Sequence, residues 1–184
     1  MPGDPRNISN GRPIPSEGYA DQPYIVQTDD GAWLCAMTTG TGHEGQPGQH
    51  IIAMRSTDRG ESWSEPVAIE PANGPEASYA VLLKAHSGRI YCFYNHNTDR
   101  VQEVHGEDGR VFSRVDSLGY YVFKYSDDHG RTWSERRYDV PVREFACDRE
   151  NVYGGELRFF WNVGRPLVVG DAAFLVLHKV GALG

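Results

Sequence analysis

Two stretches of this chain, RSTDRGESWSE (Arg55–Glu65) and YSDDHGRTWSE (Tyr125–Glu135), spell one pattern: Ser-x-Asp-x-Gly-x-(Ser or Thr)-Trp. A turn-like octapeptide written twice implies a repeated supersecondary unit, and a repeat constrains the fold more than composition does. A longer repeat surrounds it. PYIVQTDDGAWLCAMTT (Pro23–Thr39) lies over AVLLKAHSGRIYCFYNH (Ala80–His96) at an offset of 57, aligning Gly31 with Gly88 and Cys35 with Cys92. A third copy, RPLVVGDAAFLVLHK (Arg165–Lys179), sets His178 against Asn95 and Lys179 against His96.

Each copy reads as strands. Tyr24–Thr28 and Ala32–Thr38 are β-rich runs joined by Asp29-Asp30-Gly31, a hairpin signal in which glycine supplies the positive φ. After a polar loop come a third run, His50–Arg55, the octapeptide turn, and a fourth run, Trp63–Ile69. The unit is therefore a four-stranded meander, A-B-C-D. In its C-D turn Asp58 or Asp128 accepts backbone hydrogen bonds, Gly60 or Gly130 turns the chain, and Trp63 or Trp133 buries an apolar face. Ser56 and Ser126 open the two turns. These aspartates read as structural staples and not as catalytic acids.

The net charge of −7, with signs interspersed, offers no basic stripe to a phosphate backbone, so nucleic acid is not an expected partner. The longest apolar runs fall short of the ~18 residues of a membrane span, and MPGDPRNISN has no apolar leader core. Neither a membrane partner nor a compartment is indicated. Three cysteines without CxxC spacing suggest free thiols, and no His and carboxylate pattern has metal-ligand spacing. No metal or other cofactor is expected.

The two octapeptides resemble the Asp-box (BNR) repeats of the sialidase superfamily, and the resemblance runs from about Asp21 to the end of the chain. It implies an all-β fold, a β-propeller of six or seven four-stranded antiparallel blades. On that reading residues 1–18 are an extended segment, blade 1 spans about 19–72, blade 2 about 76–142, and a third blade starts within about 152–184. Two blades and a start do not close a ring, so a fragment of a propeller is expected.

Meander topology places the A-B and C-D turns on one rim of the blade, and the start of A with the B-C loop on the other. The second rim collects Asp21, Gln22, His43, Glu44, Asn95, His96, Asn97, Arg165, His178 and Lys179, with Arg158 and Trp161 just upstream of the third copy. The two octapeptides are offset by 70 where the A-B pairs are offset by 57, so 13 extra residues fall in the second B-C loop, on that same rim. Loops on a rigid scaffold carry function, which makes this rim the candidate active face.

The superfamily resemblance implies an enzyme that cleaves a terminal, acidic sugar from a glycan or oligosaccharide. His43, Glu44 and His96 are the catalytic candidates. Asp21, Gln22, Asn95, Asn97, Arg158, Arg165, His178 and Lys179 are the substrate-binding ones. Glu44 would serve as acid/base of a glycosidase; a uronate lyase using His43 or His96 as base, and a non-catalytic glycan-binding propeller, are the alternatives. Two departures fall on the chemistry. Sialidases carry Arg-Ile-Pro at the first strand A, where this chain has Asp21-Gln22-Pro23, and an Asp in the B-C loop, where it has His43-Glu44-Gly45.

Overall fold

The computed structural model describes Asp4 and residues 6–182. The expected segments 1–18 and 152–184 extend to residues 1–3, 5 and 183–184, which lie outside the described residues. The strands are β1 (Tyr19–Gln27), β2 (Trp33–Gly40), β3 (His50–Ser56), β4 (Val67–Ala68), β5 (Ala77–Lys84), β6 (Ile90–His96), β7 (Val104–His105), β8 (Val111–Phe112), β9 (Tyr120–Ser126), β10 (Tyr138–Asp139), β11 (Phe159–Trp161), β12 (Leu167–Val169), β13 (Ala172–Phe174) and β14 (His178–Val180). One short helix, α1 (Ala146–Arg149), and a 3-10 turn at Ile8–Asn10 complete the described elements.

The expected meanders form. One antiparallel sheet runs β1-β2-β3-β4 and a second β5-β6-β9-β10, while the extra residues of the second B-C loop fold into the hairpin β7-β8. In the third unit β11 pairs with β14 and β12 with β13, so its strand A begins at Phe159 and is split in two. The sequence reading began that strand at Arg165. It missed the first half because Asn162–Pro166, holding Gly164 and Pro166, interrupts the β-rich run.

Apolar side chains from neighbouring sheets interlock. Leu34, Ala36, Ile51 and Ile69 of the first pack against Ala80, Leu82, Ile90 and Tyr94 of the second, and Val81, Phe93 and Tyr121 of the second pack against Phe160 of the third. Burial on both faces explains why β2 and β6 read as nearly continuous apolar runs and not as alternating ones. A further cluster, Val104, Val115, Leu118 and Phe159, fixes the inserted loop to the third unit.

Both octapeptides fold as staples. Asp58 Oδ1 accepts from the Ser56 hydroxyl (2.7 Å) and the Ser62 amide (2.9 Å), and Gly60 N donates to Ser56 Oγ (2.7 Å). Asp128 repeats this with the Ser126 hydroxyl (2.8 Å) and the Thr132 amide (2.9 Å), and Gly130 N with Ser126 Oγ (2.8 Å). Both glycines sit at φ 85, and the residues before them, Arg59 and His129, also take positive φ. The hydroxyl and amide donors of Ser62 and Ser56 hold the Asp58 carboxyl down at about 2. The staples also join neighbours: Asp30 of the first A-B turn accepts from Arg55 (2.7 Å) and from Arg131 of the second octapeptide (2.8 Å).

Candidate functional site

Strand register decides which residues share a rim. Trp33 pairs with both Gln27 and Ser56, which puts the A-B turn and the Asp58 turn at one end of the blade. Gly40 pairs with Tyr19 at the other end, and the loop carrying His43 and Glu44 leaves from there. The candidate rim and the staples are therefore on opposite ends.

A bulge aims the rim residues. Between Asp21 and Tyr24 the register slips, so that Asp21 pairs with Thr38 and Tyr24 with Ala36. Three steps on β1 match two on β2, which places Asp21 on the same face as Tyr24 and Ala36, the face turned toward the second sheet. The second sheet repeats the slip between Ser78 and Val81. Gln22 (φ 49) and Tyr79 (φ 61) occupy equivalent bulge positions, and both take a conformation uncommon for side-chain-bearing residues.

Tyr79 is the centre of the resulting cluster. Its hydroxyl donates to Asp116 Oδ2 at 2.6 Å, lies 3.4 Å from Glu44 Oε1, and accepts from Arg114 Nη2 at 3.0 Å. Arg114 Nε donates to Asp116 Oδ1 (2.8 Å) and its Nη2 to Glu44 Oε1 (2.7 Å). The inserted loop thus supplies Arg114 and Asp116 to the first blade's B-C loop, and Val115 N donates to Gly45 O (3.0 Å) to fix the junction. Gly45 is required there. At φ 80 it adopts a left-handed turn, and a Cβ would stand 2.7 Å from Arg114 Cγ.

Three carboxylates and one guanidinium shape the local field. Burial, followed by the charges of Glu44 and Asp116, raises the carboxyl of half-buried Asp21 above its ordinary range. Burial and the same carboxylates raise the Tyr19 phenol, and burial with the Asp116 hydrogen bond raises Tyr79. Beneath the cluster Glu76 accepts from Gln49 N (3.0 Å) and the Ser78 hydroxyl (3.0 Å), and burial pushes its carboxyl up to about 8.

The other sequence candidates divide by burial. His43 is exposed at the loop tip, its backbone carbonyl accepting from Gln49 Nε2 (2.9 Å). Gln22 is half-buried beside Asp21, and its Oε1 has no hydrogen-bond partner among the described residues. His96 departs from the reading of it as an open rim base. It is 0% exposed, with Nδ1 2.8 Å from Thr98 Oγ1 and Nε2 3.8 Å from buried Glu70, and burial, then Arg137, holds its imidazole down at about 4. A neutral ring sealed in the seam between sheets does not reach a substrate.

Its neighbours are also committed inward. Asn95 donates to Phe160 O (2.6 Å), and Asn97 brackets the backbone of Val101 through both amide atoms. Lys179 is paired with buried Asp148, which caps α1, and donates to Arg143 O. Arg158 binds Val142 O and Glu144 beside a separate cleft of about 480 Å³. Arg165 is exposed in a groove where β1, β5 and β12 meet, and exposed His178 stacks on Trp161 (5.5 Å between centroids, 12°).

Tyr79, at the start of the second strand A, belongs to this rim by topology but was not among the catalytic or binding candidates, and neither were Arg114, Asp116 and Tyr19. The alignment of Tyr79 with Gln22 was a usable signal; nothing in the spacing marked which residues of the inserted loop turn back to the first blade. Among the described residues no group of three His, Cys, Asp or Glu is placed to hold a metal ion.

Comparison with known proteins agrees with this architecture. The BNR/Asp-box repeat family matches residues 124–135, the second staple. A microbial sialidase, Hadza Hz136, superposes with a TM-score of 0.59 at 17% identity, over 87% of this chain and 32% of its own. The chain has an Asp-box repeat and the β-propeller fold of the solved sialidases it superposes on. The NanB sialidase of Streptococcus pneumoniae aligns at a TM-score of 0.52 and 12% identity over 88% of this chain and 40% of that one. A protein of unknown function from Dyadobacter fermentans aligns at 0.56 and 19% over 83% and 44%. This Asp-box chain therefore spans less than half of the solved propellers it matches. No curated protein matches it significantly.

Proposed function

We propose that the rim opposite the staples is a glycan site and that the protein cleaves a terminal sugar from a glycan, as a glycosidase. The observation that carries this reading is the convergence of Asp21, Glu44 and Asp116 with Tyr79 and Arg114 at the seam of the first two blades. Glycoside cleavage needs two carboxyl groups in different protonation states, one to protonate the leaving oxygen and one to act as base or nucleophile. Asp21 suits the first role: burial and two neighbouring negative charges keep its proton on to higher pH. Glu44 suits the second, being exposed to solvent and oriented by the Arg114 guanidinium. The hydroxyl of Tyr19 and the amide of Gln22 border Asp21 and offer hydrogen bonds to sugar hydroxyls.

A lyase reading keeps only His43 of its two histidine bases, since His96 is buried and neutral. The test is to incubate the full chain with sialosides, neutral glycosides and uronic glycans, following new reducing ends and the absorbance of an unsaturated uronate. Reducing ends without that absorbance, abolished by Asp21→Asn and by Glu44→Gln, support the glycosidase. Absorbance lost in His43→Ala would replace it with the lyase, and binding without either product would leave a glycan-binding module.

A further inference from the structure

We propose that this site selects a sugar without a carboxylate, because Arg114 is held by the protein's own acids and is not offered to an anionic substrate. The proposal rests on the glycan-cleaving reading above and departs from the acidic sugar that the superfamily resemblance implies.

The hydrogen bonds of Arg114 carry the argument. A guanidinium grips a carboxylate through two parallel N–H groups on one edge, either Nε with a terminal nitrogen or the two terminal nitrogens together. Here Nη2 donates to Glu44 Oε1 (2.7 Å) and to the Tyr79 hydroxyl (3.0 Å), which uses both of its hydrogens, and Nε donates to Asp116 Oδ1 (2.8 Å). The edge formed by the terminal nitrogens has lost one of its two partners, and the Nε edge is occupied. Neither remains free for a bidentate grip. The stem of Arg114 lies over Gly45, and the backbone of Val115 is bonded to Gly45 O, so the junction of the two loops presents the guanidinium to these acids.

Charge points the same way. Glu44 and Asp116 both contact the one cation, Arg114, and Asp21 stands within the field of those two carboxylates, so the cluster remains negative even with Asp21 protonated. A carboxylate on the sugar would therefore meet like charge, whereas a hydroxyl in its place would donate to Glu44 or Asp21.

Matched sugars that differ only at one carbon test this. Binding of methyl glucoside against methyl glucuronide, methyl galactoside against methyl galacturonide, and a methyl sialoside would be measured at pH 7 by calorimetry and saturation-transfer NMR on the full chain. The neutral member of a pair should bind at least about tenfold more tightly, a difference of ~1.4 kcal/mol. The ratio should narrow in high salt and in Glu44→Gln, a change at an exposed side chain that leaves the fold intact. A uronide or sialoside bound as tightly as its neutral partner, or a ratio indifferent to both perturbations, overturns the selectivity while leaving a glycan site. Binding of no sugar of either class overturns the glycan-cleaving reading and the selectivity with it.

Discussion

Gly60 and Gly130 hold the same place in the two staples, with the same φ of 85, yet their surroundings differ. A Cβ on Gly60 would meet Trp33 Cζ3 at 3.4 Å, an ordinary contact. On Gly130 it would stand 2.5 Å from Leu34 Cδ1 and 2.7 Å from Cδ2, inside van der Waals contact. Leu34 is 0% exposed in the seam between the first two blades, so it has no free volume to turn into. Gly60→Ala should therefore lose only the left-handed backbone penalty, about 1–2 kcal/mol. Gly130→Ala should lose that plus an overpacking term of about 1–3 kcal/mol. Urea unfolding of the two variants at constant slope would give the difference directly. Losses equal within about 0.5 kcal/mol would refute the claim that the second staple is wedged against the first blade.

Burial lifts Glu76 to about 8 from an ordinary value of 4.5, so the folded chain keeps a proton the unfolded chain releases between those values. The Glu76 contribution to stability should be full below about pH 4.5 and lost as pH rises toward 8, whereas buried His96, neutral down to about 4, favours the fold increasingly as pH rises to 6.5. The net fall should therefore show between about pH 6.5 and 8, and Glu76→Gln should flatten it in urea midpoints taken from about pH 5 to pH 9. Lys179→Met leaves the buried Asp148 without its cation and should lower stability by about 3 kcal/mol, with part recovered when Asp148→Asn is added; sugar binding should not change. In product assays Glu44→Gln should reduce turnover by about 10²–10⁴-fold, whereas His43→Ala should stay within about tenfold of wild type. The reverse order would transfer the chemistry to His43.

The scaffold was legible in the sequence because its signals are local. The octapeptides, the Asp29-Asp30-Gly31 turn and the β-rich runs each specify their own backbone, and the offsets of 57 and 70 located the inserted loop before its hairpin was seen. The site was legible only in outline. Topology assigned His43, Glu44 and Asp21 to one rim, but His96 looks as polar and loop-like in YNHNTDR as His43 does in TGTGHEGQ. What separates them is the third-dimension packing of Glu70, Arg137 and Lys124 around the former, partners 26 or more residues away in sequence. Arg114 and Asp116 were hidden for a related reason: their partners are Tyr79 on strand β5 and Glu44 in the first B-C loop, and no periodicity links them to the inserted loop.

The slipped register at Asp21 and Ser78 has an evolutionary corollary. A one-residue excess inverts the in-and-out alternation at that point, so each inner strand is divided into two stretches that obey separate rules. Downstream of the slip in the first strand, substitutions are policed by the packing of neighbouring blades; upstream of it, at Tyr19–Asp21, the side chains are open enough to be exchanged with less disturbance to the seam, whereas Ala77 and Ser78 ahead of the second slip are buried. A blade built like the first can change which molecule it receives by altering a few positions ahead of its irregularity, while the rest of the blade keeps its sequence.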